Sequence, residues 1–171
     1  YEIARQNTLD IARFLVVIPL DGSLAATGAT IDRQKNVTYA TSRWTQGLHL
    51  SWKSDVSYRV QIPEHFSMMF WIRLYDGLPD TRILALTGAN SLVLEYDRRL
   101  NEFQLIDSDG VYVRATIAFR PNDCIAIGIV QEAAVRRLFL YSLSGDVYAE
   151  ASASARPLRS FEQIIFSGNI R

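Results

Sequence analysis

From residue 56 onward apolar and polar side chains alternate with the period of a strand. Val56-Ser57-Tyr58-Arg59-Val60-Gln61-Ile62 is the clearest stretch, and Pro63 ends it. Residues 66–74 are apolar at nearly every position, which predicts a central strand covered on both faces. Asp76-Gly77 and Leu78-Pro79-Asp80 then supply turn chemistry. Further strands are predicted over residues 82–87, 91–96, 102–106, 111–119, 124–130, 136–143, 147–151 and 163–166. Asp107-Ser108-Asp109-Gly110 and Ser144-Gly145-Asp146 read as hairpin connections. Residues 23–42, rich in Ala, Thr, Gly and Asn, read as a long surface connection with one short strand at 37–40. Residues 156–163 have room for one helical turn at most, and no long capped amphipathic helix is evident. Strands recurring every eight to twelve residues or so are the signature of an all-β sandwich or barrel. Residues 1–9 read as a lead-in and residues 10–171 as one domain. Phe70, Ile72, Leu84, Leu94, Ile127 and Leu140 are its expected core.

Composition narrows the classes. With 171 residues, 49% of them hydrophobic, the chain can bury a core and is unlike a disordered segment. One Cys allows no internal disulfide. The longest apolar run, residues 14–20, is interrupted by Pro19 and is far short of the roughly 20 residues of a membrane helix. The first ten residues lack the pattern of a signal peptide. Eighteen basic residues balance eighteen acidic ones, so no electrostatic footprint for nucleic acid or anionic lipid exists. Sixteen of the basic residues are Arg, a bias that base composition alone can produce and that also suits planar, multidentate contacts.

Four segments carry a resemblance. Phe14-Leu15-Val16-Val17-Ile18-Pro19-Leu20-Asp21-Gly22-Ser23, Trp44-Thr45-Gln46-Gly47-Leu48-His49-Leu50, Phe66-Ser67-Met68-Met69-Phe70-Trp71-Ile72-Arg73 and Arg137-Leu138-Phe139-Leu140-Tyr141-Ser142-Leu143-Ser144-Gly145 follow one another in order. In order and spacing they resemble the concanavalin A-like lectin/glucanase superfamily, above all its laminin-G-like jelly-roll branch. The resemblance spans residues 14–167 and implies an all-β, antiparallel two-sheet jelly-roll sandwich. Two departures stand out. The strand at 123–131 lacks the family's Trp, and the chain stops at Gly168-Asn169-Ile170-Arg171, where a final strand would begin. Such a gap leaves an unpaired edge, which residues 1–9 or a second chain are expected to cover.

The superfamily includes glycoside hydrolases, which need paired carboxylates on one face. The nearest match is Glu95-Tyr96-Asp97-Arg98-Arg99, where the third acid is missing. It reads as a strand end with a charged turn, so no catalytic residue is assigned. His49 and His65 stand in no nucleophile motif, Cys124 lies in an apolar strand, and no Gly-rich phosphate loop is present. Some relatives hold calcium on rim loops, and Asp107 and Asp109 are the candidates for that here. Ligand recognition remains, with sugar rings stacking on flat aromatic faces. Trp44, Trp52, Trp71, Arg73, Tyr75 and Tyr112 are the expected ligand-binding residues, with Trp71, Met69 and Arg73 on the outer face of their sheet. The expectation is a non-catalytic module that binds glycan or a protein surface, in an extracellular, cell-surface or virion setting implied by the resemblance. Its rival is a structural module of a larger assembly such as a phage tail, and a glycoside hydrolase stands third.

Overall fold

The computed structural model describes residues 18, 23–41, 46–51, 53–75, 80–110, 112–120, 122–132, 134–154, 156 and 158–168. They form thirteen strands: β1 (Ala29–Lys35), β2 (Thr38–Thr41), β3 (Gln46–His49), β4 (Asp55–Ile62), β5 (Phe66–Arg73), β6 (Thr81–Gly88), β7 (Ser91–Asp97), β8 (Glu102–Asp107), β9 (Tyr112–Thr116), β10 (Cys124–Glu132), β11 (Val135–Ser142), β12 (Val147–Ser154) and β13 (Phe161–Ser167). No helix among the described residues is long and apolar enough to cross a membrane.

A seven-stranded sheet runs β1-β4-β13-β6-β7-β8-β9, a four-stranded sheet runs β12-β11-β10-β5, and β2 and β3 form a separate pair. Every pairing is antiparallel. Alternation decides which side chains enter the space between the sheets. Leu84 and Leu86 from β6, Leu92 and Leu94 from β7, and Phe103 and Leu105 from β8 meet Ile125, Ile127 and Ile129 from β10 and Leu138 and Leu140 from β11. Edge-to-face ring pairs join the layers, Phe66 to Phe161 at 5.8 Å and Phe70 to Phe166 at 6.1 Å. The expected core is thus in place: Leu84, Leu94, Ile127 and Leu140 are buried, and Phe70 and Ile72 pack on them partly exposed.

Two polar clusters flank this core. At one end the Arg136 guanidinium, buried on β11, forms an ion pair with Asp107 at the end of β8. It also donates to Gln131 Oε1 at 2.7 Å and to the Arg156 carbonyl at 2.9 Å. At the other end Asp123 accepts from the Ser142 hydroxyl, from Cys124 N at 2.8 Å and from Ser144 N at 3.1 Å. Each cluster ties one sheet end to a connecting segment and satisfies groups that the apolar core cannot.

Several expectations are corrected. β5 is an edge strand among the described residues, since it pairs only with β10. Its outward side chains, Ser67, Met69 and Trp71, are exposed. The unbroken apolar run reflects an apolar outer surface, with no second covering layer needed to explain it. Residues 29–35, expected in a connection, form β1 on the edge of the larger sheet against β4. Nearly all β1 side chains are exposed, so no apolar alternation marks it, and its backbone pairing is indifferent to side chain. No helical turn occupies the described residues between 156 and 163; β13 begins at Phe161. β13, the last strand among the described residues, lies inside the seven-stranded sheet between β4 and β6 and is not an edge. Gly168 follows it where the backbone passes close to residues 50–51. A Cβ there would stand 2.5 Å from the Ser51 carbonyl oxygen, and Gly168 N donates to Ser54 O at 3.1 Å. The lead-in at 1–9 and the first family-like segment fall outside the described residues, apart from Ile18, which packs on the core, and Ser23.

Candidate ligand-binding surface

The outer face of the four-stranded sheet is built by the complementary half of the same alternation. In β5 the side chains between Phe66, Met68, Phe70 and Ile72 are Ser67, Met69 and Trp71, with Arg73 next in step; Met69 is 65% exposed and Trp71 41%. In β11 the residues between Arg136, Leu138, Leu140 and Ser142 are Arg137, Phe139 and Tyr141. β10 lies between these two strands and presents small groups at its middle, Ala126 and Gly128, with Cys124 and Val130 on either side.

Register lines them up. Trp71 is opposite Ala126, which is opposite Tyr141, which is opposite Tyr148 on β12. The next row is Met69, Gly128, Phe139 and Glu150. The β5 and β11 ridges stand two strand spacings apart, about 9.5 Å. The Phe139 ring leans over Gly128, where an added Cβ would meet its Cβ at 3.3 Å and Cδ2 at 3.5 Å. That closes the floor at Gly128. In the neighbouring row the small Ala126 lies between Trp71 and Tyr141. Phe139 and Tyr148 contact each other with centroids 6.4 Å apart.

Polar groups rim this surface. Tyr141 Oη donates to Asp146 Oδ1 and Tyr148 Oη to Glu150 Oε2, each at 2.9 Å. The Asp146 hydrogen bond pushes the Tyr141 phenol above its ordinary range. Loss of solvent, followed by Glu150, does the same at Tyr148. Both phenols therefore stay protonated donors at neutral pH. Arg73 lies opposite Cys124, with Nη2 3.8 Å from the thiol sulfur. Tyr75, 42% exposed, follows β5 and tilts against His49 of β3 at 5.6 Å.

Of the residues expected to bind ligand, Trp71 and Arg73 therefore share one end of one sheet, and Tyr75 follows just beyond it against His49. Tyr112 starts β9 in the opposite sheet, paired with Ile106, and its backbone position separates it from the other three. Trp44 and Trp52 lie outside the described residues. Phe139, Tyr141 and Tyr148 were not anticipated. Their alternation is visible in the sequence, but the register that places Tyr141 across Ala126 from Trp71 is not.

The carboxylates weighed for catalysis do share a face of β7, as its alternation requires, and both are engaged. Arg82 Nε and Nη2 donate to Glu95 Oε1 at 3.3 and 3.2 Å. Asp97 Oδ1 accepts from Arg99 N and Leu100 N and so caps its own turn. Of the two calcium candidates, Asp107 is engaged within the protein. Asp107 is buried against the Arg136 guanidinium, and its other oxygen accepts from Asp109 N at 2.8 Å. Among the described residues no three His, Cys, Asp or Glu side chains are grouped to hold a metal ion.

Comparison with known proteins places the fold. No protein-family model matches the chain, and no curated protein matches it. Solved structures do. The LG1–3 region of the laminin α2 chain aligns over 68% of this chain with a TM-score of 0.58 at 10% identity. Full-length tailspike protein 2 of the Escherichia coli O157:H7 bacteriophage CAB120 aligns over 81% with a TM-score of 0.55 at 17% identity. Lectin II from Ulex europaeus aligns over 82%, and over 84% of its own length, with a TM-score of 0.54 at 12% identity. The chain spans 25% of the laminin chain and 23% of the tailspike. Antiparallel sheets of seven and four strands enclosing one core, matched by these neighbours, establish that the chain has the concanavalin A-like lectin, laminin-G-like jelly-roll fold.

Proposed function

We propose that this domain is a non-catalytic recognition module whose outer four-stranded face binds glycan or a protein surface. The observation that carries the reading is the row Trp71, Ala126, Tyr141, Tyr148, in which aromatic rings flank a low floor on an exposed sheet. Rings of this kind present large apolar faces at small entropic cost, with phenol groups at their margins to orient polar partners. The engaged states of Glu95 and Asp97 support a role without hydrolysis. An extracellular or virion setting belongs to the same proposal. A glycan array with the chain, followed by calorimetry of the best ligand, tests it. Trp71→Ala is expected to lower affinity on the order of tenfold or more, the loss of about 1.4 kcal/mol or more, at unchanged melting temperature. Full affinity in that variant would remove the face from the site.

A second reading, a structural module of a larger assembly, draws on the edge position of β5 among the described residues and on the exposed Met69 beside it. A mass measurement in solution separates the two: a stable oligomer that loses mass when Met69 becomes Lys favours assembly.

A further inference from the structure

We infer that the aromatic face selects saccharides bearing an anionic group, carboxylate or sulfate, with Arg73 as the residue that reads the charge. The inference rests on the glycan reading of this face and adds a ligand class to it. Two arginines lie on the outer face of the four-stranded sheet, Arg137 in the row of Ser67 and Arg73 at the opposite end of β5. Arg137 has the Glu132 carboxylate at 3.8 Å. Arg73 is half-buried, and the one hydrogen bond of its guanidinium among the described residues reaches the Cys124 sulfur at 3.8 Å. A thiol is a weak acceptor and neutralises no charge. Described acidic groups at or near this face are engaged elsewhere: Asp146 and Glu150 accept from the two phenols, and the buried Asp123 accepts from Ser142 and from the backbone N–H of Cys124 and Ser144.

A planar fork that is partly removed from water and has no carboxylate partner among the described residues favours an incoming anion, because a bidentate contact would complete its hydrogen bonding. Position supplies the saccharide part. Arg73 is two residues beyond Trp71 on the same strand and face, about 6.6 Å along the sheet. A sugar ring over the floor between Trp71 and Tyr141 would thus hold a substituent within reach of the guanidinium.

Calorimetry of the 171-residue chain with tetragalactose, tetragalacturonate and sulfated tetragalactose tests the inference. The wild type is expected to bind at least one acidic probe on the order of tenfold more tightly than the neutral one. The difference between the two acidic probes tells carboxylate from sulfate. Arg73→Gln is expected to abolish the preference, so that acidic and neutral probes bind with equal affinity. Arg73→Lys keeps the charge but loses the fork, so it is expected to retain part of the preference, and it carries the test if the Gln variant fails to fold. Equal binding of neutral and acidic probes, lost in Trp71→Ala and untouched in Arg73→Gln, overturns the charge reading and leaves the glycan reading standing. Binding of a polyglutamate peptide with no saccharide bound overturns both.

Discussion

Tyr58 shows how far one side chain can depart from its solution behaviour. It is buried on β4, and its hydroxyl has no hydrogen-bond partner among the described residues. Burial first, and Tyr39 second, push its phenol up to about 12. A raised folded-state value means that stability is complete below pH 10, where both states are neutral, and is lost as pH rises from 10 to about 12. Urea midpoints are therefore expected to fall across that window, and Tyr58→Phe is expected to flatten the fall. At neutral pH the same variant should gain up to about 1 kcal/mol, since it removes a buried hydroxyl that nothing satisfies. Asp123 behaves in the opposite sense. Burial alone would raise its carboxyl, but hydrogen bonds from the Ser142 and Ser144 side chains and from the Ser144 and Cys124 backbone outweigh it and hold the group below its ordinary value. Its contribution is present above the ordinary carboxylate range and is lost as pH falls through the lowered value. Asp123→Asn is expected to cost about 1–3 kcal/mol at pH 7 and to soften the acid limb of the stability curve. Of these two, only the turn position of Asp123 was legible in the sequence. The groups that act on them, Tyr39 on Tyr58 and Ser142 and Ser144 on Asp123, are distant in sequence, with the adjacent Cys124 the exception.

At the scale of elements, burial falls off toward β5. The core-facing residues of β10 and β11 are inaccessible, whereas Phe66, Met68, Phe70 and Ile72 of β5 retain partial exposure. Truncation should follow the same gradient. Phe161→Ala, on an interior strand of the larger sheet, is expected to cost about 3–5 kcal/mol. Phe70→Ala, on the edge strand, should cost clearly less than Phe161→Ala under the same denaturant titration. Equal losses would mean that β5 is as enclosed as β13. Strand existence was legible wherever one face is buried, because alternation then follows from the pleat. β1 escaped for the converse reason: burial asks nothing of its side chains.

Across the whole molecule the two sheets are joined by a polar link as well as by packing. Arg136 on β11 meets Asp107 at the end of β8 inside the core, with Gln131 opposite Arg136 in register. Removing one partner of such a pair leaves a buried charge, so Arg136→Ala is expected to lose about 3–5 kcal/mol. Replacing both, Arg136→Met with Asp107→Leu, should recover most of that loss in equilibrium unfolding. If the double variant is no better than the single one, the link is more than a compensated charge. Asp107 also explains why an acidic hairpin is a poor guide to metal. The sequence shows Asp-Ser-Asp-Gly but not the cation that another strand brings to it.

Local chemistry determined much on its own. Alternation and turn residues led to a β-sandwich or barrel, to its core residues and to an outward Trp71, because each of these depends on neighbours within one strand, and the order of four segments added a resemblance that implies the jelly roll. The tertiary structure decided which strands lie at edges, which rings share a face and which carboxylates are engaged. Those outcomes depend on pairing between segments far apart in the chain, and side-chain pattern constrains such pairing only weakly when backbone hydrogen bonds form it. Trp71 and Tyr141 are seventy residues apart in sequence and are brought to one row by the register of β10 alone.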